Sequence, residues 1–150
     1  MGLLFISLLY SGVLNFAFYI ASMIKKRVVL PFIFAVLWLL LITLLLCTPG
    51  TEFPKITWKD KIWLDKWIHA ALFAILILTW CWFYSRKQGS AINKRLFSII
   101  ALLVFVYGIG TEIIQEFFIP FRSFEIPDII ADGVGVVAGY FIAVRRFTKT

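Results

Sequence analysis

The chain has 150 residues, 62% of them hydrophobic, and a net charge of +7, with a mean hydropathy of +0.96. A soluble domain is closer to half apolar, so this balance excludes a soluble two-domain enzyme and leaves one compact membrane bundle. The basic residues punctuate long apolar runs and form no stripe on a polar scaffold. That excludes nucleic acid as a partner and marks them as membrane topology signals.

A bilayer-spanning helix needs about 20 apolar residues, and five segments meet that length: 3–24, 28–47, 64–84, 96–119 and 128–144. The expected fold is therefore an all-α polytopic bundle of five transmembrane helices. Residues 1–27 form an N-terminal span closed by Lys25-Lys26-Arg27, with no basic leader or small-residue cleavage site, so the span is read as retained. Residues 28–150 form a four-helix membrane domain. The second segment ends at the breaker cluster Thr48-Pro49-Gly50, and residues 56–64 are expected as a short interfacial helix. The fourth stops before Pro120, and the fifth starts at Pro127-Asp128.

The basic residues set the direction. Grouping the loops after the first, third and fifth spans collects ten of the fifteen Lys and Arg residues, among them Arg86, Lys87, Arg95 and Arg145. The positive-inside rule then gives an extracytoplasmic N-terminus and a cytoplasmic C-terminus. Trp58, Trp63 and Trp67 fall at the outer interface of the third span, and Trp80, Trp82 and Tyr84 at its inner one, as aromatic belts do. Cys47 and Cys81 show no metal or redox spacing and read as small buried residues. They are expected near opposite ends of their spans, too far apart for a disulfide.

Three polar constellations sit at the outer ends of spans. Asp65-Lys66-x-x-His69 opens the third; Asp65 and His69 are four apart on one helical face. A carboxylate beside an imidazole fixes its tautomer and raises its basicity, although Asp, Lys, Trp and His also serve as interfacial anchors. The second, Glu112-x-x-Gln115-Glu116, lies about two turns below Pro120, inside the hydrocarbon, where an acid usually faces the bundle interior. Gly108, Glu112 and Gln115 share a face there. The third runs from Arg122 through Asp128 and Asp132 to Gly135 and Gly139. Its acids and glycines recur at four, three and four, so they form one stripe along which a neighbouring helix can approach. Arg122, in a short loop, offers a planar guanidinium to a phosphate or carboxylate.

Asp65-Lys66-x-x-His69, then Glu112-x-x-Gln115 with Pro120-x-Arg122, then Asp128 followed by Gly135 and Gly139, resemble the VanZ-like family in order and spacing. The match covers residues 28–144. The family's usual Asn is Asp132 here, which adds a charge, and the first span lies outside the four-helix core. The resemblance implies a multi-pass protein of the bacterial inner membrane, in a family named for a member associated with low-level teicoplanin resistance. It implies no particular reaction.

Asp65, Glu112, Asp128 and Asp132 oppose Lys66 and Arg122, an excess of acid that a protonated carboxyl, a charged His69 or a divalent cation would have to balance. No resident cofactor is otherwise expected. Three functions follow. The first is a binding or modulating protein at the outer leaflet, whose partners are membrane lipids and whose target is a lipid head group or glycopeptide. The second is a membrane-embedded enzyme acting on a lipid head group. Its base would be His69, its orienter Asp65, its phosphate clamp Arg122, and Glu112 or Asp128 an acid or cation ligand. The third is a proton-coupled transporter, against which stands the lack of ionisable residues in the inner halves of the later spans.

Overall fold

A computed structural model of the protein describes residues 28–49, 58–89 and 93–148, together with positions 19 and 21, and residues 58–63 by backbone alone. The expected first span at 3–24 and its basic stop lie outside the described residues. Four helices follow in chain order: α1 (Val29–Leu46), α2 (Trp58–Gln88), α3 (Lys94–Phe118) and α4 (Ile126–Phe147). All four are long and apolar enough to cross a membrane.

Their bounds follow from local chemistry. α1 contains no charged residue and ends where Thr48-Pro49 follows. α2 corrects the sequence reading: from Trp58 onward the proposed interfacial helix is the first part of one continuous 31-residue helix. No Pro or Gly interrupts residues 58–88, so nothing breaks the backbone hydrogen bonding there. α2 also runs one turn past residue 84, to Gly89, which adopts φ +70° and returns its N–H to the Ser85 carbonyl at 3.2 Å. α3 begins at Asn93, whose side chain accepts from the Arg95 N–H at 2.9 Å. α4 carries Pro127 in its first turn, where a missing N–H costs nothing, with Asp128 beside it at the positive end of the helix dipole.

α2 and α4 form the closest pair. A Cβ on Gly135 would collide with the Ala70 carbonyl, and one on Gly139 with Ile77 and, at 2.7 Å, with the Ala74 carbonyl oxygen. The glycine stripe of α4 therefore lies against the Ala70 and Ala74 backbone of α2. Around that seam Phe73, Leu76, Ile77, Phe97 and Ile42 build a buried core. The Trp38 indole N–H donates to the Leu72 carbonyl at 3.0 Å, tying α1 to α2, and the hydroxyls of Thr43 and Tyr107 meet at 2.9 Å, tying α1 to α3. Leu37 and Leu44 of α1, Leu102 and Phe117 of α3, and Val134 and Phe141 of α4 face outward. An apolar exterior of this kind suits hydrocarbon as its solvent. Cys47 and Cys81 are free thiols.

The connection from α3 to α4 turns at Pro120-Phe121. Arg122 N–H returns to the Ile119 carbonyl at 3.3 Å, and Phe121 has φ 60°. Proline at the second position and positive φ at the third is the pattern of a type II turn, which favours glycine at that third position. Phe121 is 81% exposed, so little of its side chain is packed. Phe121→Gly is expected to raise stability by about 1 kcal/mol through relief of the left-handed conformation, read from the melting temperature in detergent. An unchanged or lower melting temperature would show that the Phe121 side chain contributes more than its backbone costs.

Candidate functional site

The C-terminal ends of α1 and α3 and the N-terminal ends of α2 and α4 lie at one end of the bundle. Contacts across these elements demonstrate it. Gln115 donates to the Leu46 carbonyl at 2.9 Å, and Arg122 Nε donates to the Thr48 carbonyl at 3.4 Å. These two residues thus fasten α3 and the loop after it to the end of α1.

Lys66 is the hub of the outer layer. Its ammonium donates to Asp128, to Glu125 at 2.9 Å and to Asp65 at 3.4 Å. Asp128 is buried, and the Lys66 side chain is largely so. One lysine of α2 thereby joins its own neighbour to two carboxylates at the start of α4.

One turn deeper lies His69, buried, with Nδ1 at 2.9 Å from Asp132 Oδ1. This changes one expected role. Asp65 shares a helical face with His69, but the carboxylate bonded to the imidazole is Asp132, from the facing helix. The reason is the α2–α4 seam: Gly135 packs on Ala70, so the residue three before Gly135 arrives beside the residue preceding Ala70. Asp65 instead bonds Lys66. Its carboxylate, His69 and Asp128 still come within 4.8 Å of one another.

Glu112 is fully buried on the inward face of α3, in a stripe with Val104, Gly108, Thr111 and Gln115. The rise of about 1.5 Å per residue puts it about 9 Å below the end of α3. Its Oε2 accepts from the Glu125 N–H at 3.1 Å, and Glu116 Oε2 accepts from the Phe124 N–H at 2.7 Å. Two acids of α3, one turn apart, thus satisfy backbone donors at the entrance to α4, whose N-cap residue Glu125 makes no side-chain cap of its own. Gly108 has a matching purpose. A Cβ there would stand 2.8 Å from Asp132 Oδ2 and 3.0 Å from Phe73, so glycine makes room for the Asp132 carboxylate against the α3 backbone.

The structure therefore brings Asp65, Lys66, His69, Glu112, Asp128 and Asp132 into one centre between α2, α3 and α4. Gln115 and Arg122 stand beside it as ties to α1, and Gly108, Gly135 and Gly139 allow the close approach. Sequence reasoning missed Glu125 as a member. Its signal was weak: an acid two residues before Pro127 is an ordinary helix-start residue, and only the packing of α4 on α2 brings it to Lys66. With Glu125 counted, five carboxylates face one lysine and one histidine.

Comparison with protein-family models, with characterised proteins and with solved structures gives no match.

Proposed function

We propose that this protein is a VanZ-like, five-span protein of the bacterial inner membrane, N-terminus outside and C-terminus inside. In this proposal its polar centre binds or modulates a cell-surface lipid or glycopeptide target. The observation that carries the reading is the group of buried His69, Glu112, Asp128 and Asp132 with half-buried Asp65 and Lys66, gathered at a single end of an apolar bundle. Ionisable groups inside a membrane protein are costly and are kept where they act on a ligand, an ion or a proton. Arg86, Lys87, Arg95, Arg145 and Arg146 belong to the opposite helix ends. The positive-inside rule assigns that basic end to the cytoplasm, which makes the acidic centre extracytoplasmic, within reach of the outer leaflet.

The test is expression of the chain in a glycopeptide-sensitive bacterium. Wild type is expected to raise tolerance to teicoplanin. Asp128→Asn and His69→Ala, inserted at the same level, are expected to abolish the gain. No change in susceptibility on expressing the wild type would defeat the reading.

One observation favours a second reading, an enzyme acting on a lipid head group. The 2.9 Å contact between His69 Nδ1 and Asp132 is the orientation a general base needs, with Asp132 and not Asp65 as orienter. It predicts head-group turnover by the purified chain that disappears in His69→Ala.

A further inference from the structure

We propose that His69, Glu112 and Asp132 together hold a single divalent first-row metal ion, zinc or manganese, inside the bundle. This deepens the site proposed above and rests on that reading only in taking the centre as a place where something binds.

Among the described residues, Glu112 Oε1 and Asp132 Oδ2 are buried side-chain atoms with no hydrogen-bond partner. Both residues are 0% exposed. Such atoms are normally partnered, because stripping water from a carboxylate is otherwise uncompensated. In each acid the second oxygen is already used, Glu112 Oε2 by the Glu125 N–H and Asp132 Oδ1 by His69. The two orphan oxygens come from different helices, and what both lack is a donor or a cation. His69 adds a nitrogen donor. One ligand atom from each of the three residues lies within 4.8 Å of the others, and metal–ligand bonds of about 2.0–2.2 Å would draw them in to about 3.5 Å.

Asp65, His69 and Asp128 satisfy the same distance. There, however, the Lys66 ammonium already bonds both carboxylates, so the chain supplies its own cation. The deeper trio, where the orphan oxygens are, is the one that needs an ion from outside. Its donor set fixes the class. One imidazole with two carboxylates suits zinc or manganese, whereas magnesium and calcium favour all-oxygen shells. Three protein ligands also leave a coordination position open. A divalent ion would then reverse the local field, so that a centre rich in carboxylates can accept a phosphate or carboxylate oxygen.

The full chain, purified in detergent and stripped with a chelator, is titrated with zinc chloride or manganese chloride alone. Elemental analysis is expected to find close to one ion per chain, and the melting temperature is expected to rise on adding it. Glu112→Gln and Asp132→Asn are expected to weaken binding by at least the about 10–100-fold that losing a ligand's supporting group costs. Acidification weakens it too, because the ligands must be deprotonated. A wild-type chain that takes up no ion, or variants that bind as tightly as wild type, would overturn the proposal. If Asp132→Asn does not fold, the wild-type stoichiometry and Glu112→Gln decide. Since the readout is the ion, failure here leaves the teicoplanin result intact. Loss of that phenotype alone likewise leaves a bound ion standing.

Discussion

Lys66→Ala is expected to lower the stability of the detergent-solubilised bundle by about 3 kcal/mol, the cost of breaking a largely buried ion pair from one side. The Lys66 ammonium serves Asp128, Glu125 and Asp65 together, so its removal leaves three carboxylates facing one another without their cation. Asp128 suffers most, since its side chain is 6% exposed and water reaches it poorly. Asp65 and Glu125 are more open and recover some hydration. The double variant Lys66→Met, Asp128→Asn separates charge from packing: it removes the buried charge along with its partner and should recover a large part of the loss. The measurement is thermal unfolding followed by circular dichroism. If Lys66→Ala melts within a degree or two of wild type, the ion-pair hub is not what holds α2 to the start of α4.

Gly135→Val is expected to be as damaging, for a steric reason. Any Cβ at Gly135 meets the Ala70 carbonyl, its carbon and its Cα, all of them backbone. A flexible side chain could turn aside, but a helix backbone must be pushed away bodily, which forces α2 from α4 along their whole seam. Overpacking of this kind costs about 1–3 kcal/mol, and valine at a backbone contact belongs at the upper end. Displacing the seam also separates His69 from Asp132, so any binding at the centre should fall along with stability. Gly110→Ala is the control. A Cβ there has nothing within 4 Å, and replacing glycine within a helix gains about 0.5–1 kcal/mol. A destabilised Gly110→Ala beside a stable Gly135→Val would refute the packing account.

Much of this architecture was legible in the chain. Apolar length gives the four described helices, and Pro120 and Pro127 mark two of their ends, because the missing proline N–H acts on neighbouring residues alone; the Asn93 cap of α3 emerged only from the structure. Spacing along one helix put Gly108, Glu112 and Gln115 on a single inward face of α3, and those three are buried together. The glycine repeat of α4 announced a close approach, and the Ala70 and Ala74 backbone provides its other side. Helix periodicity is a local property, so these features needed no knowledge of any partner.

What tertiary structure decided is which helix supplies each partner. Sequence spacing makes Asp65 the neighbour of His69, yet Asp132 holds the imidazole, because the contact depends on the axial register between α2 and α4. That register is set where Gly135 meets Ala70, by shape complementarity between two helices far apart in the chain. Glu125 joins Lys66 for the same reason, and the Glu112 carboxylate spans from α3 to the N–H at the start of α4. The sequence by itself determined the four apolar spans, the inward face of α3 and the store of acids. Only packing determined which acid meets which base, because side chains on different helices become neighbours through the relative placement of whole elements, which residue spacing along one helix does not encode.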